Sequence, residues 1–417
     1  MPSLKRGFLL VALPFMLNAE GLKSLLEHAQ KSNELIVSKS ILVDAKESEV
    51  KSSESDYYPT VDVGAMYQRY DEASPFSPTE TYAGYATLGW DVYSGGKRSN
   101  TLQQKKEEHR SSKYEYEATK KDISLSIVED FYNYKTLEST LDARIEASKA
   151  VKAQLERMQQ FYSAALATSD DVDRLQSAYD NNIYSIESIK FEMLRVKKSL
   201  ELKVGKKIST LSKSSFVKEQ TQTPEELDSI KALRAQKSAT ISLSETLDSF
   251  YYPQIRIEDT YSYYGYDEVP LVFGTPLNLP EGQNKLMATI NLRLVDFGAI
   301  GEKKAAVRLS ANAINEQILY QDKEQKMQQD LSLSRIATAK LNIKSAKSAL
   351  KAANSALKTI TKKYNNGIVD NVVYLDALTS QTESKSTYEA SLNNLELSYA
   401  LYYYYNSKKL EEFLHEN

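Results

Sequence analysis

The chain contains no cysteine, which excludes disulfides, thiolate metal sites and a lipid-modified cysteine as membrane anchor. Histidine is almost as scarce. His28, His109 and His415 lie far apart, and none has the spacing of a zinc site or of a histidine-activated nucleophile. No stretch carries the basic excess that phosphate neutralisation requires, and the formal net charge is -3, so nucleic acid is not expected as a partner. Uninterrupted apolar runs of about 20 residues are also missing, which excludes a bundle of transmembrane helices. The one glycine-rich stretch, Gly95-Gly96-Lys97-Arg98-Ser99, is not a phosphate loop, because Asp91 stands where that pattern needs its first glycine. No catalytic constellation, cofactor site or metal site is expected.

A short apolar run is present at the N-terminus. Lys5 and Arg6 precede Gly7 to Leu17, and the small Ala19 follows, so residues 1–19 read as a secretory signal peptide. Export without cysteine leaves membrane attachment to the fold itself.

Glycine and proline are missing from Lys97 to Val204, and after Glu302 there is only Gly367. These residues punctuate structure, so two long helical tracts are expected. Apolar positions within them recur at heptad spacing. Ile336, Ile343, Leu350, Leu357 and Tyr364 form one seam, and Ala339, Ala346, Ala353 and Ile360 the other. Leu141, Ser148, Leu155 and Tyr162 match the first seam earlier in the chain, and Leu137, Val151 and Met158 the second, which is coiled-coil packing. A helix from 97 to 162 would be about 100 Å long at ~1.5 Å per residue.

The chain is duplicated. Tyr57-Tyr58-Pro59 recurs as Tyr251-Tyr252-Pro253, and period-two runs follow each: Val61, Val63, Ala65 and Tyr67, then Ile255, Ile257 and Tyr261. A second alternating run follows each first one, Leu88, Trp90 and Val92 against Ile290, Leu292 and Leu294, closed by Gly96 and Gly298. The offset is 194 in the first strand and 202 in the second, so the inserted residues fall in the connecting loop, where insertions are tolerated. The expected order is a first repeat over 20–204, with a helix 20–56, a β-hairpin about 60–93, a long helix 97–162 and a returning helix 170–204. A linker, 205–223, leads to a second repeat over 224–417, with a helix 224–250, a hairpin about 254–296, a long helix 299–364 and a returning helix 372–413. Thr223-Pro224-Glu225-Glu226 is expected to start the helix there.

Four strands cannot close a barrel, and open edges do not survive in lipid, so other chains must complete the sheet. Each strand is about ten residues, long enough for a tilted outer-membrane crossing. Leu286, Ala288, Ile290, Leu292 and Leu294 give one continuous apolar face. Tyr57, Tyr58, Tyr251, Tyr252 and Trp90 suit either an interfacial aromatic girdle or packing between hairpin and helix roots.

This order, given twice over essentially the whole mature chain, resembles the TolC family of outer-membrane efflux and secretion ducts. The helical tips add to the resemblance. Tyr162-Ser163-Ala164-Ala165-Leu166 with Asp171-Val172 ends one heptad tract, and Tyr364-Asn365-Asn366-Gly367-Ile368 with Leu375-Asp376-Ala377 ends the other, 202 residues later. The fold class implied is mainly α with membrane β: a homotrimer whose 12-stranded β-barrel continues into a periplasmic α-helical barrel. The implied function is the outer-membrane channel-tunnel of a tripartite efflux or type I secretion system. It would be a passive exit duct rather than an enzyme, held in outer-membrane lipid and reaching into the periplasm. The implied partners are a periplasmic adaptor (membrane fusion) protein and an inner-membrane pump of the RND, ABC or MFS type. Selectivity then lies largely in the pump, and drugs, metals, peptides and proteins are all open as cargo.

The resemblance also places a periplasmic gate on Tyr162, Asp171, Tyr364 and Asp376, with a phenol-to-carboxylate latch between Tyr364 and Asp171. Val369 occupies the family's basic gate position, and Val373 replaces one of its two constriction aspartates, leaving Asp376 as the remaining carboxylate ring. The bland readings are a last heptad core residue for Tyr364, a helix N-terminal charge for Asp171 and a solvated face for Asp376. Adaptor contacts fall on Ala164, Ala165 and Leu166 and on Asn366, Gly367 and Ile368. Gly367 suits a left-handed helix end, whereas Ala165 would cost roughly 1 kcal/mol there or change the turn. Two other classes compete: an envelope coiled-coil structural protein or adhesin, and a general diffusion porin. The exact repeat of the hairpins counts against the first, and a count of four strands against the second.

Overall fold

The computed structural model describes residues 20–72, 76–218 and 222–416. The signal-peptide segment 1–19 lies outside these residues. Seven helices form among them: α1 (Leu22–Ser32), α2 (Glu34–Ser55), α3 (Lys97–Ser163), α4 (Ser169–Val204), α5 (Asp228–Thr246), α6 (Ala299–Asn365) and α7 (Asn371–Tyr405). The strands are β1 (Thr60–Arg69), β2 (Glu80–Ser94), β3 (Ser214–Phe216), β4 (Gln254–Asp267), β5 (Leu271–Val272), β6 (Thr275–Pro276), β7 (Gly282–Asn291) and β8 (Leu414–Glu416). The duplication is visible in the boundaries. α3 and α6 each span 67 residues, and both α6 and α7 begin 202 residues after their counterparts α3 and α4.

Two compact units are present. One comprises residues 39–116 and 228–322, the other residues 20–38, 117–227 and 323–416. The first holds a four-stranded antiparallel sheet in the order β1-β2-β4-β7. Its register sorts the side chains onto two faces, because residues directly opposite in a ladder share a face. Val61, Val63 and Ala65 lie opposite Leu88, Ala86 and Gly84. Trp90 and Ala86 lie opposite Ile257 and Tyr261, and Ile255 and Ile257 opposite Ile290 and Ala288. The other face carries Asp62, Thr87, Asp91, Arg256, Glu258, Thr260 and Lys285, with the Thr87 and Thr260 hydroxyls 3.1 Å apart. Large apolar side chains stay exposed on the apolar face, Val63 at 83% and Leu286 at 72%, so none of the described residues covers it. Asp259 and Asn284 are polar residues there, and Asp259 is charged. It stands between Leu88 and Leu286, with one carboxylate oxygen buried and without a hydrogen-bond partner among the described residues.

Each strand-to-helix turn uses left-handed backbone. Gly95 and Gly96 have φ of 62° and 85°, and 202 residues on, Phe297 and Gly298 have 53° and 91°. A Cβ on Gly95 would lie 2.6 Å from the Ser249 carbonyl oxygen, so only glycine fits there, while Phe297 points into open space.

The second unit is helical, with a core in which Leu22, Leu25 and Leu26 of α1 join Ile127, Phe131, Leu200, Phe216 and Tyr403. Its helical seams match the heptads: Ala339, Ala346 and Ala353 are buried, as are Ser148, Val151 and Leu155.

Several expected boundaries change. The first helix is not continuous over 20–56. Asn33 takes an extended conformation, its side-chain oxygen accepts from Leu35 and Ile36 N–H, and its amide donates to the Lys203 carbonyl at 2.7 Å, so it caps α2. The helix expected from 224 starts at Asp228, because Gln325 holds the preceding chain extended by accepting from Leu227 N–H and donating to the Glu225 carbonyl. The returning helix expected to 413 stops at Tyr405. Ser407, at φ 61°, donates to the Tyr404 carbonyl, and Lys121 grips the Ser407 carbonyl at 2.7 Å. The tail then pairs, as β8, with β3, which lies in the linker. β7 ends at Asn291, leaving Leu292 and Leu294 beyond the strand.

Candidate gate at the helical tips

Both long helices end in the same turn. In the first tip Ala165 N–H donates to the Tyr162 carbonyl and Leu166 N–H to the Phe161 carbonyl. In the second, Gly367 donates to Tyr364 and Ile368 to Lys363. This is a Schellman closure, which satisfies the last carbonyls through a residue in left-handed backbone. Ala165 adopts it at φ 58° and Gly367 at 72°. The alanine therefore keeps the turn and carries its steric cost. Leu166 and Ile368 project at the two turns, 76% and 67% exposed.

The returning helices start with carboxylate caps. Thr168 and Asp171 form a reciprocal capping box: Thr168 Oγ1 accepts from Asp171 N–H, and an Asp171 carboxylate oxygen accepts from Thr168 N–H. Thr168 Oγ1 also lies 2.8 Å from Asp171 Oδ2. At the equivalent place Asp370 Oδ1 accepts from Val373 N–H at 3.1 Å.

The two tips are joined within the chain. Asn371 Nδ2 donates to the Asp171 carbonyl and to its Oδ1, each at 3.2 Å. Arg157 Nη1 donates to Asn365 Oδ1 at 2.8 Å, and its guanidinium lies 5.1 Å from the Phe161 ring centroid. Beneath these links Tyr364 stacks on Tyr374, in a cluster with Val151, Leu155, Leu175 and Leu378. Burial pushes the Tyr364 hydroxyl above its usual range; Arg157 opposes this and Asp171 adds to it. Burial likewise raises Tyr374, with Tyr364 contributing.

The expected site residues thus separate into groups. Tyr364 is buried and Tyr162, its counterpart, is half exposed. Asp171 is engaged by Thr168 and Asn371, and within one chain no hydrogen bond joins it to Tyr364 among the described residues. Asp376 is exposed on α7, and Val373 is partly exposed beside it. Ala164 to Leu166 and Asn366 to Ile368 form the two exposed turns. Tyr374, Asn371, Arg157 and Thr168 were not singled out from the sequence. Only Thr168 had a readable signal, in the Thr-x-x-Asp spacing of a capping box.

Among the described residues no helix is long and apolar enough to cross a membrane, and no group of three or more acidic, histidine or cysteine side chains is placed to hold a metal. Residues 25–185 match the family described as Outer membrane efflux protein. No curated protein matches the sequence. Among solved structures, the fold is similar to the outer membrane channel CmeC of Campylobacter jejuni, with TM-score 0.81, 13% identity, and coverage of 94% of this chain and 86% of that one. It is also similar to VceC of Vibrio cholerae, with TM-score 0.77, 14% identity and coverage of 93% and 96%. The open state of the MtrE outer membrane channel of Neisseria gonorrhoeae gives TM-score 0.74, 13% identity and coverage of 93% and 89%.

Proposed function

We infer that this chain is a member of the outer membrane efflux protein family, whose model matches residues 25–185, and that it is the outer-membrane duct of a tripartite export system. It is a passive channel, embedded by its sheet in the outer membrane and reaching into the periplasm. The observation that carries this reading is the sheet: four strands, one face apolar and uncovered, the other lined with carboxylates, hydroxyls and two cations, and an open edge on each side. An open sheet with a bare apolar face satisfies its backbone in lipid only by closing with further copies, and the polar face then lines an aqueous bore.

Channels of this family are trimers that work with adaptor proteins and inner-membrane pumps, and three copies of this chain are proposed here. The exposed turns at Ala164 to Leu166 and Asn366 to Ile368 are the proposed adaptor contacts. The proposed gate consists of Tyr162, Asp171, Tyr364 and Asp376. Asp171 is already engaged by Thr168 and Asn371, and its carboxylate keeps acceptor capacity for a donating Tyr364 hydroxyl. A bond of this type is worth about 1.5 to 3 kcal/mol, within reach of a docking partner.

The test uses the absence of native cysteine. The wild type reconstituted in a planar bilayer should show discrete conductance steps, and its deletion should sensitise cells to exported compounds. With Asp171→Cys and Tyr364→Cys together, oxidation should lower conductance and reduction restore it. A protein that never conducts would sink the duct reading. An oxidised pair that leaves the current unchanged would sink only the gate assignment.

A further inference from the structure

The two hairpins pair in the same register. Thr60 faces Gly89 in the first and Gln254 faces Asn291 in the second, the same pairing after offsets of 194 in the leading strand and 202 in the trailing one. The joint between hairpins, where β2 meets β4, therefore has an image at the open edges, where β7 of one chain would meet β1 of another. Within the chain Asp91 lies opposite Arg256, with Asp91 Oδ1 3.2 Å from Arg256 Nη1. Applying the offsets sends Asp91 to Arg293 and Arg256 to Asp62. The charges exchange places and stay complementary.

We propose that β7 of one copy pairs antiparallel with β1 of the next in the register that sets Arg293 opposite Asp62, forming an intersubunit ion pair of reversed polarity. The inference rests on the multimeric barrel proposed above and fixes its seam. Neighbouring positions agree. Leu88 opposite Asp259 becomes Ile290 opposite Ala65, and Trp90 opposite Ile257 becomes Leu292 opposite Val63, apolar against apolar on the apolar face. A slip of one residue would turn every one of these side chains to the wrong side.

The state of the chain at this edge fits an unmade pairing. β2 runs to Ser94 because β4 pairs with it that far, whereas β7 stops at Asn291 and residues 292–295 are irregular and exposed. Leu294 and Val295 there are 82% and 66% exposed. Arg293 rests over the Phe250 ring, 5.4 Å from its centroid, and Asp62 is exposed on the polar face of the edge strand β1. In the closed barrel the two kinds of ion pair would alternate around the bore at one level.

Paired cysteines test the register, since cross-strand neighbours lie within disulfide reach. Arg293→Cys with Asp62→Cys, and Ile290→Cys with Ala65→Cys, sample both kinds of ladder position, and Asn291→Cys with Asp62→Cys samples a shifted register. In purified full-length protein in membrane, the first two pairs should cross-link between chains and the shifted pair should not. Separately, Arg293→Asp should weaken the detergent-resistant oligomer, and adding Asp62→Arg should restore it. An oligomer that cross-links at the shifted pair, or at none, overturns the register while leaving the duct intact. A protein that stays monomeric in membrane overturns both the register and the barrel it depends on.

Discussion

Tyr364 and Tyr374 lie ring on ring, their centroids 4.9 Å apart and their planes 14° from parallel. The stack joins the last turn of α6 to the first turn of α7 and places the buried edge of the proposed gate on aromatic packing. Tyr364→Phe keeps the stack and should leave hydrogen exchange around 360–378 close to wild type. Tyr364→Ala should cost ~3 kcal/mol locally, as removal of a buried aromatic does, with faster exchange there. If the hydroxyl also latches the duct, Tyr364→Phe alone should raise bilayer conductance.

At the left-handed position the two tip turns differ by one Cβ, Ala165 against Gly367. Ala165→Gly relieves the left-handed strain at φ 58° and should stabilise the end of α3 by ~1 kcal/mol. Gly367→Ala should destabilise the end of α6 by a similar amount. Hydrogen exchange at 162–166 and 364–368 reads both, in opposite directions.

Most of this architecture is legible from residue order alone. Tyr-Tyr-Pro twice, two glycine-free tracts and the heptad seams locate hairpins and long helices, because strand and helix periodicities are local. The parts that are not legible depend on partners distant in the chain. Asn33 breaks the first helix because the Lys203 carbonyl is there to receive its amide. Gln325 unwinds the start of α5, nearly 100 residues away in sequence. At the tip, the resemblance names Tyr364 and Asp171, whereas the residues that hold them, Tyr374 and Asn371, are ordinary helix positions until the helices meet.

Asp259 sits on the apolar face between Leu88 and Leu286. A carboxylate facing lipid costs less than the ~2–4 kcal/mol of a cation at mid-membrane, yet it still destabilises. Asp259→Leu should raise the urea midpoint of the vesicle-inserted protein, and Asp259→Asn should raise it less. An unchanged or lowered midpoint would show that the carboxylate has found a partner in the assembled barrel.

Tyr403 is wholly buried in the helical unit, and its hydroxyl donates to the Val217 carbonyl at 2.7 Å. Burial, with Tyr402 and Tyr399 beside it, pushes this phenol from 10.0 up to about 12. The folded state therefore keeps a proton that the unfolded chain gives up. Its contribution to stability is complete below pH 10.0 and is lost as pH rises toward about 12. Tyr403→Phe should flatten denaturation curves recorded across that interval, at a cost of about 1 kcal/mol at neutral pH from the lost hydrogen bond.

The bare edges of β1 and β7 also bear on the life of the chain before it reaches the membrane. A newly exported copy carries two unpaired strand edges and an uncovered apolar sheet face, the combination most prone to stray strand addition. None of the described residues hides them, so solitary copies should be short-lived or escorted. Insertion into lipid and meeting of copies would then be a single event, and supply of the other copies, rather than folding of the helices, would set its pace.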